Sequence, residues 1–128
     1  MSGKRYFLDT NAIVQLLAGN QNLKNTLNDA EFIATSVICE LEFLSFPGLP
    51  SEDKELLRSL LSFIEVVDIE ASDETLKTTI VELRASKKLK LPDAIIAASA
   101  FSVSCTLLTN DNRLLKHPDL DVQKYVMD

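Results

Sequence analysis

Short apolar segments alternate along the whole chain with longer segments in which apolar residues recur at helical spacing. Alternation of this kind is typical of a parallel sheet covered by helices, because parallel strands must be joined by crossover connections. The predicted strands are mostly apolar, as strands buried on both faces are. They are residues 5–8, 32–35, 66–69, 105–109 and, more weakly, 122–126. The sequence therefore predicts an α/β fold with a short parallel β-sheet flanked by helices on both faces.

Capping and stop signals place the predicted helices between these strands. Ser36 is predicted to cap a helix that ends near Phe46, and Ser51 is predicted to cap the next helix. Pro92 suits the first turn of a strongly apolar helix. The remaining predicted helices are one that stops at Gly19, a short one within residues 20–30, and one over residues 72–88.

The bulk composition indicates a single domain, residues 1–128, in the cytoplasm. With 128 residues, of which 46% are hydrophobic, the chain can build one core but not two comfortable ones. It has no run of about 18 uncharged apolar residues, so no membrane span is expected. No apolar stretch before Asp9 is long enough for a signal peptide. Cys39 and Cys105 lie far apart in apolar segments, which predicts buried, reduced thiols.

The distribution of charge has two interpretations. The net charge of −6 argues against a nucleic-acid binder, which usually carries a basic surface. The segment RASKKLK nevertheless holds four cations with no acid among them, namely Arg84, Lys87, Lys88 and Lys90. These residues form either the solvated end of a helix, where cations are favourable, or a patch that contacts phosphates.

Carboxylates lie at the ends of several predicted elements. Asp9 ends the first strand, Asp111 follows the strand at 105–109, and Asp93 opens the apolar helix. Glu40 and Glu42 lie in an otherwise apolar helix and point about 200° apart, so they cannot both face one site. Taken singly, each acid has an ordinary explanation as a helix cap, a turn former or a surface residue.

Taken together, the acids favour a site for a divalent cation. Ligand sites in parallel sheets gather at the carboxyl ends of the strands. We expect no arginine or lysine in the same motifs to neutralise most of these acids. A cluster of carboxylates is tolerated when a hard cation lies among them. Oxygen-only ligands indicate Mg²⁺ or Mn²⁺, and the single histidine, His117, cannot assemble a zinc site.

Four segments that carry these acids resemble the acidic motifs of PIN-domain ribonucleases. In chain order they read FLDTNAIVQLL, TSVICELEFL, LPDAIIAASA and LLTNDNRLL, and they extend over almost the whole chain. More narrowly, the sequence is similar to the VapC-type toxins of bacterial and archaeal toxin–antitoxin pairs. The resemblance implies a PIN-like three-layer sandwich.

The resemblance also implies a set of site residues. The catalytic and metal-binding acids would be Asp9, Glu42, Asp93 and Asp111. The polar residues that orient them would be Asn11, Ser36 and Thr109. The family's six-residue offset from the serine selects Glu42, with Glu40 as a minor candidate.

The implied function is that of a Mg²⁺-dependent endoribonuclease, with Mn²⁺ as the alternative metal. The metal would polarise the scissile phosphate and acidify a bound water for in-line attack, which leaves 5′-phosphate and 3′-hydroxyl ends. The expected partners are RNA, a cognate antitoxin whose tail blocks the acidic cleft, and a second copy of the chain in a homodimer; no membrane is expected. In this context RNA binding becomes the preferred interpretation of Arg84, Lys87, Lys88 and Lys90.

Other classes of function fit the sequence less well. A phosphatase of the haloacid-dehalogenase kind needs a second acid two positions after the first, where this chain has Asn11. A response-regulator receiver needs its phosphoacceptor after a later strand, and Asp68 inside VVDI is a poor match. The remaining alternative is a degenerate PIN domain that binds RNA or protein without catalysis, and the retention of all four acids argues against it.

Overall fold

The computed structural model describes residues 3–128 and contains a five-stranded sheet within them. All of its strand pairings are parallel, and the strand order is β3-β2-β1-β4-β5. The central strand β1 pairs on one side with β2, so that Phe7 faces Ala34, and on the other side with β4, so that Phe7 faces Leu107. The strands are β1 (Arg5–Leu8), β2 (Phe32–Ser36), β3 (Glu65–Val67), β4 (Thr106–Leu108) and β5 (Val122–Gln123).

Helices connect the strands and cover both faces of the sheet, so the predicted three-layer α/β sandwich is confirmed. Within residues 3–128 they are α1 (Thr10–Leu17), α2 (Gln21–Leu27), α3 (Val37–Leu44), α4 (Ser51–Leu61), α5 (Glu74–Lys87), α6 (Leu91–Ser102) and α7 (Asn112–Leu115). None of these helices is long and apolar enough to cross a membrane.

Five of the seven helices within residues 3–128 directly follow a residue whose side chain accepts a hydrogen bond from a backbone amide of the first turn. The prediction for Ser36 is confirmed, since its Oγ accepts a hydrogen bond from the Ile38 amide at 3.1 Å. The prediction for Ser51 is wrong: α4 is preceded by Pro50, whose extended backbone and carbonyl begin the helix, and Ser51 is already helical. The helix predicted from residue 72 begins at Glu74, because the Asp73 side chain caps it through the Leu76 amide at 3.0 Å.

Three strands are shorter than their apolar segments predicted. The strand predicted over residues 66–69 is observed at Glu65–Val67, because its partner β2 ends at Ser36, opposite Val67. The strand β4 spans three of the five residues predicted at 105–109, and β5 only Val122–Gln123 of 122–126. Strand length here is set by the register with the neighbouring strand rather than by the apolar pattern.

The hydrophobic core includes the central strand β1 and the helix α6. Phe7 and Leu8 of β1 are fully buried. Every residue of α6 from Ala94 to Ala100 is buried as well, which explains why this helix is rich in alanine and apolar almost all round. Cys39 and Cys105 are buried and form no disulfide, as predicted. Because α6 contacts α3, β2 and β4, its first turn and Asp93 are held close to the sheet.

Candidate active site

The sheet has a topological switch point at the carboxyl end of β1. From β1 the chain continues to β2 on one side, whereas β4 pairs with β1 on the other side. In open parallel sheets this arrangement leaves a crevice in which ligands bind. Asp9 directly follows β1 and Thr109 directly follows β4, and the Asp9 amide donates to the Leu108 carbonyl at 3.2 Å. The fold itself therefore brings these two polar residues together.

Asp9 is a buried carboxylate with hydrogen bonds to both of its oxygens. Only 7% of the residue is exposed. Its Oδ1 accepts from the Thr10 amide at 2.8 Å, and its Oδ2 accepts from the Thr109 hydroxyl at 2.6 Å. Asp9 is thus the N-cap of α1 and also lies beside other acids, so its two interpretations from sequence are compatible.

The environment of Asp9 disfavours its charged form. Burial raises the pKa of Asp9 above its usual 3.8, and the negative charges of Asp93 and Asp111 raise the pKa further. The hydrogen bonds from Thr109 and from the Thr10 amide oppose this shift because they stabilise the carboxylate. The chain accepts an energetic cost at this position, which is the behaviour of a functional rather than a stabilising residue.

This cost has a measurable pH dependence. Because the pKa of Asp9 is higher in the folded than in the unfolded state, the folded protein binds more protons once the pH rises above 3.8. The contribution of Asp9 to the free energy of unfolding therefore falls with rising pH and becomes constant above the folded-state pKa. Urea unfolding of the wild type and of Asp9→Asn, between about pH 4 and pH 8, is expected to show the wild type losing stability relative to the variant as the pH rises. A difference that is independent of pH would contradict the shift.

Glu42, and not Glu40, lies on the side of α3 that faces these acids. The Thr10 hydroxyl donates to Glu42 Oε1 at 2.5 Å, and the charge of Glu42 raises the pKa of Asp93. Glu40 instead lines a cleft of about 330 Å³ between α3 and α4, together with Lys54. The structure therefore places Glu42, the residue that the serine offset selected, near the other acids, and Glu40 away from them.

Arg113 joins Asp93, in the first turn of α6, to Asp111, the N-cap of α7. Arg113 Nε and Nη2 donate to the two oxygens of Asp111 at 3.1 and 2.7 Å, and Nη2 lies 3.5 Å from Asp93 Oδ2. These hydrogen bonds hold the pKa of Asp111 below its usual value. Burial raises the pKa of Asp93, opposed first by the charge of Arg113. The expectation that no cation of the same motifs neutralises these acids is therefore wrong for this pair.

The polar residues predicted to orient the acids have different surroundings. Thr109 is buried, donates to Asp9, and accepts from the Asp111 amide at 3.0 Å, so a single hydroxyl connects two of the acids. Ser36 is buried and caps α3, the helix that carries Glu42. The side chain of Asn11 is exposed and has no hydrogen bond to an acid within residues 3–128.

Two residues of this cluster were not identified from the sequence. Thr10 holds Glu42, and Arg113 holds Asp93 and Asp111. Thr10 carries a sequence signal in its position directly after Asp9. Arg113 carries one as well, since it stands two residues after Asp111, the N-cap of the short helix α7 that contains Arg113.

The chemistry of the donor set fits a hard divalent cation. Asp9, Glu42, Asp93 and Asp111 offer only oxygen atoms. They lie close enough that the charges of Asp93 and Asp111 raise the pKa of Asp9, and those of Asp111 and Glu42 raise the pKa of Asp93. As the side chains stand, no three acidic, histidine or cysteine residues of the described range form a ready metal-binding arrangement. The hydrogen bonds from Thr10, Thr109 and Arg113 occupy oxygens of three of the acids.

The basic segment that precedes α6 contains one cation, Lys87, that is already held in an ion pair. Lys87 is paired with Asp119, whereas Arg84 and Lys88 are exposed. Lys90 precedes α6, and its charge lowers the pKa values of Asp93 and Asp111, so its ammonium group lies near the acids. Of these four cations, Lys90 is the one whose charge is among the main influences on the pKa values of Asp93 and Asp111.

A cleft of about 980 Å³ lies elsewhere, between α5, α6 and the strands β4 and β5. Leu83, Phe101 and Val122 are among its lining residues, and none of the four acids lines it. Its size does not make it the candidate active site, because the polar groups that could perform chemistry converge at the switch point instead.

Comparison with known proteins gives one family and a consistent fold. A family model described as PIN domain matches residues 6–120. A chain of a toxin–antitoxin complex from Klebsiella pneumoniae superimposes with a TM-score of 0.76 at 28% identity, over 92% of this chain and 95% of that chain. No curated protein matches the chain in sequence.

Two further solved structures have the same fold at lower identity. VapBC2 from Rickettsia felis, bound to a DNA fragment from their promoter, gives a TM-score of 0.79 at 24% identity, covering 95% of this chain and 99% of that chain. VapBC-1 from nontypeable Haemophilus influenzae gives a TM-score of 0.77 at 20% identity, covering 94% and 97%. At these identities the two structures establish the fold alone.

Proposed function

The chain belongs to the PIN domain family, and we propose that it is a Mg²⁺-dependent endoribonuclease that acts as the toxin of a toxin–antitoxin pair. One observation carries the nuclease proposal: Asp9, Glu42, Asp93 and Asp111 gather at the switch point of the sheet although their mutual repulsion is unfavourable. Such a cluster is retained when a cation, and a substrate that carries negative charge, bind there.

The four acids would hold a divalent cation, Mg²⁺ or Mn²⁺, through their carboxylate oxygens. When bound, the cation supplies polarisation of the scissile phosphate and a lowered pKa for the attacking water. Neighbouring side chains of the protein orient the carboxylates that would bind the cation. Thr109 fixes Asp9 Oδ2 and the backbone of Asp111, so the carboxyl groups that follow β1 and β4 keep a constant relation.

Glu42 is the side chain best arranged to accept a proton from the attacking water. Its Oε1 accepts from the Thr10 hydroxyl, which fixes the carboxylate plane, and its Oε2 accepts no hydrogen bond from residues 3–128. An oriented carboxylate with one free oxygen can take a proton at that oxygen during attack on phosphorus.

The RNA backbone would approach the site along the segment before α6. Lys90 lies near Asp93 and Asp111, and Arg84 and Lys88 are exposed on the same segment, so their charges are available for phosphates. Lys87 contributes less while it is paired with Asp119. The net charge of −6 includes the four acids of the site, which a bound cation would partly neutralise.

The solved relatives support the toxin assignment. The K. pneumoniae structure at 28% identity is a toxin–antitoxin complex, and the similar R. felis and H. influenzae structures are VapBC proteins. We propose by analogy that this chain acts in the cytoplasm, forms a homodimer, and is inhibited by a cognate antitoxin whose tail blocks the acidic cleft.

Removal of the metal tests the nuclease proposal. Cleavage of a labelled single-stranded RNA in Mg²⁺ is expected to stop when EDTA is added and to return with excess Mg²⁺. Without the cation, nothing at the acids offsets the negative charge of the transition state, which the carboxylates repel. The products should carry 5′-phosphate ends, read by gel mobility before and after phosphatase treatment. Asp93→Asn, purified in parallel, is the control for a contaminating nuclease.

Two results would count against the proposal. Cleavage that continues in EDTA, or that is equal in Asp93→Asn, would assign the activity to a contaminant. RNA that binds but is not cleaved in either metal would favour the alternative of a degenerate PIN domain. The pairing of Arg113 with Asp93 and Asp111 is the observation that keeps this alternative open.

A further inference from the structure

Arg113 places a permanent positive charge among the acids of the candidate active site. Its guanidinium donates to both oxygens of Asp111 in a fork, at 3.1 and 2.7 Å, and lies 3.5 Å from Asp93. The two aspartate side chains are only 14% and 18% exposed, whereas that of Arg113 is 51% exposed. A side chain that is open to solvent along half of its surface can leave this position without disturbing the core.

The pair with Arg113 uses the same oxygens that a divalent cation would need. A fork of two hydrogen bonds occupies both oxygens of Asp111 in a fixed plane and brings a full positive charge beside Asp93. A second cation at these carboxylates would meet both the occupied oxygens and the repulsion of the guanidinium.

We propose that Arg113 is an intramolecular counter-ion that competes with the divalent metal for Asp93 and Asp111 and thereby sets the affinity of the site for metal. The inference rests on the proposed metal-dependent function. Without metal, Arg113 neutralises the two acids; when metal binds, the guanidinium moves away towards solvent. Arg113 is a positioning residue in this scheme, since it acts through the two carboxylates.

The other ion pairs described within residues 3–128 lack this arrangement. Arg58 pairs with Glu55 on the exposed face of α4, with 72% and 69% of the two side chains accessible. Among the ion pairs of residues 3–128, only those of Arg113 involve any of the four acids. Asp111 also caps α7 through the Arg113 amide at 2.9 Å, and this backbone contact survives replacement of the side chain.

Metal titration of arginine variants tests the competition. Mn²⁺ binding is measured by isothermal titration calorimetry for the wild type, Arg113→Met, Arg113→Lys and the matched control Arg58→Met. Removal of the fork is expected to tighten Mn²⁺ binding by roughly 10-fold in Arg113→Met, because the competing charge and both hydrogen bonds are lost. Arg113→Lys, which keeps the charge without the fork, should lie between the wild type and Arg113→Met, and Arg58→Met should match the wild type.

Thermal unfolding provides a second readout that does not involve activity. Arg113→Met should melt at a lower temperature than the wild type without metal. It should gain more than the wild type when Mn²⁺ is added, because stabilisation by a ligand increases with the logarithm of its concentration relative to Kd. This measurement also establishes that each variant is folded.

The outcomes separate this inference from the proposed function. If the wild type binds Mn²⁺ and Arg113→Met binds it equally or more weakly, the competition is refuted while the metal site stands. If neither protein binds Mn²⁺ better than Asp93→Asn does, the metal site fails and the competition fails with it. If Arg58→Met binds Mn²⁺ as much more tightly than the wild type as Arg113→Met does, the change in affinity comes from net charge alone. That result would also refute the role of the fork.

Discussion

Replacement of Asp9 by asparagine is expected to lower the rate of RNA cleavage roughly 100-fold or more without unfolding the protein, since loss of a residue that only orients a metal ligand already costs about 10–100-fold. Asparagine is as good an N-cap as aspartate, so the start of α1 is preserved. The buried charge is removed at the same time, which relieves the cost that raises the pKa of Asp9. Activity and stability should therefore change in opposite directions, as measured by single-turnover cleavage and by urea unfolding at neutral pH.

Asp68→Asn is the matched control for this substitution. Asp68 directly follows the edge strand β3, just as Asp9 follows β1, but it is exposed and has no part in the acidic cluster. The control should retain the wild-type cleavage rate. Cleavage by Asp9→Asn at the wild-type rate would remove Asp9 from the active site, whereas a loss of activity that is accompanied by unfolding would show that Asp9 has a structural role instead.

The opposite changes in activity and stability expected for Asp9→Asn arise because the acids of the site destabilise the fold. Asp9 and Asp93 both have pKa values raised chiefly by burial, and each also receives repulsion from Asp111. The central strand β1, with Phe7 and Leu8 fully buried, supplies the stability that allows unfavourable charges at its end. A chain selected for stability alone would not keep this cluster.

The sheet and the chain positions of the acids could be predicted from the sequence because both depend on local patterns. Alternating apolar segments predicted every strand of the sheet, and the rule that sites lie at the carboxyl ends of strands drew attention to Asp9 and Asp111. Strand ends were less well predicted. The strand predicted through residue 69 stops at Val67 because its partner turns into α3, and the apolar pattern carries no information about that turn.

The resemblance named Thr109 as an orienting residue, but which hydroxyl holds which acid could not be predicted, because the paired residues are distant along the chain. The bond from Thr10 to Glu42 spans 32 residues, and the one from Thr109 to Asp9 spans 100. Such contacts depend on the crossover of whole helices and on individual rotamers, which the sequence pattern does not specify. The orienting role expected of Asn11 stays a prediction, while the neighbouring Thr10 makes the contact that the structure describes.

Thr109→Val is expected to impair both the site and the fold, because valine keeps the shape of threonine but has no hydroxyl. The substitution removes the donor to Asp9 Oδ2 and the acceptor for the Asp111 amide, and Thr109 is fully buried. One buried and one partly buried polar group without partners should lower the free energy of unfolding by about 2–3 kcal/mol. Because Asp9 and Asp111 also lose their common tether, cleavage should fall by roughly 10–100-fold.

Thr35→Val separates the two effects of this substitution. Thr35 is equally buried, and its hydroxyl donates at 2.8 Å to the carbonyl of Leu8 rather than to an acid. This control should lose about 1 kcal/mol of stability and keep most of its activity. Unfolding in urea and single-turnover cleavage, measured on both variants, decide between the alternatives. If the two variants lose activity in the same proportion as they lose stability, Thr109 acts only on the fold; a larger loss of activity in Thr109→Val assigns to its hydroxyl the alignment of Asp9 with Asp111.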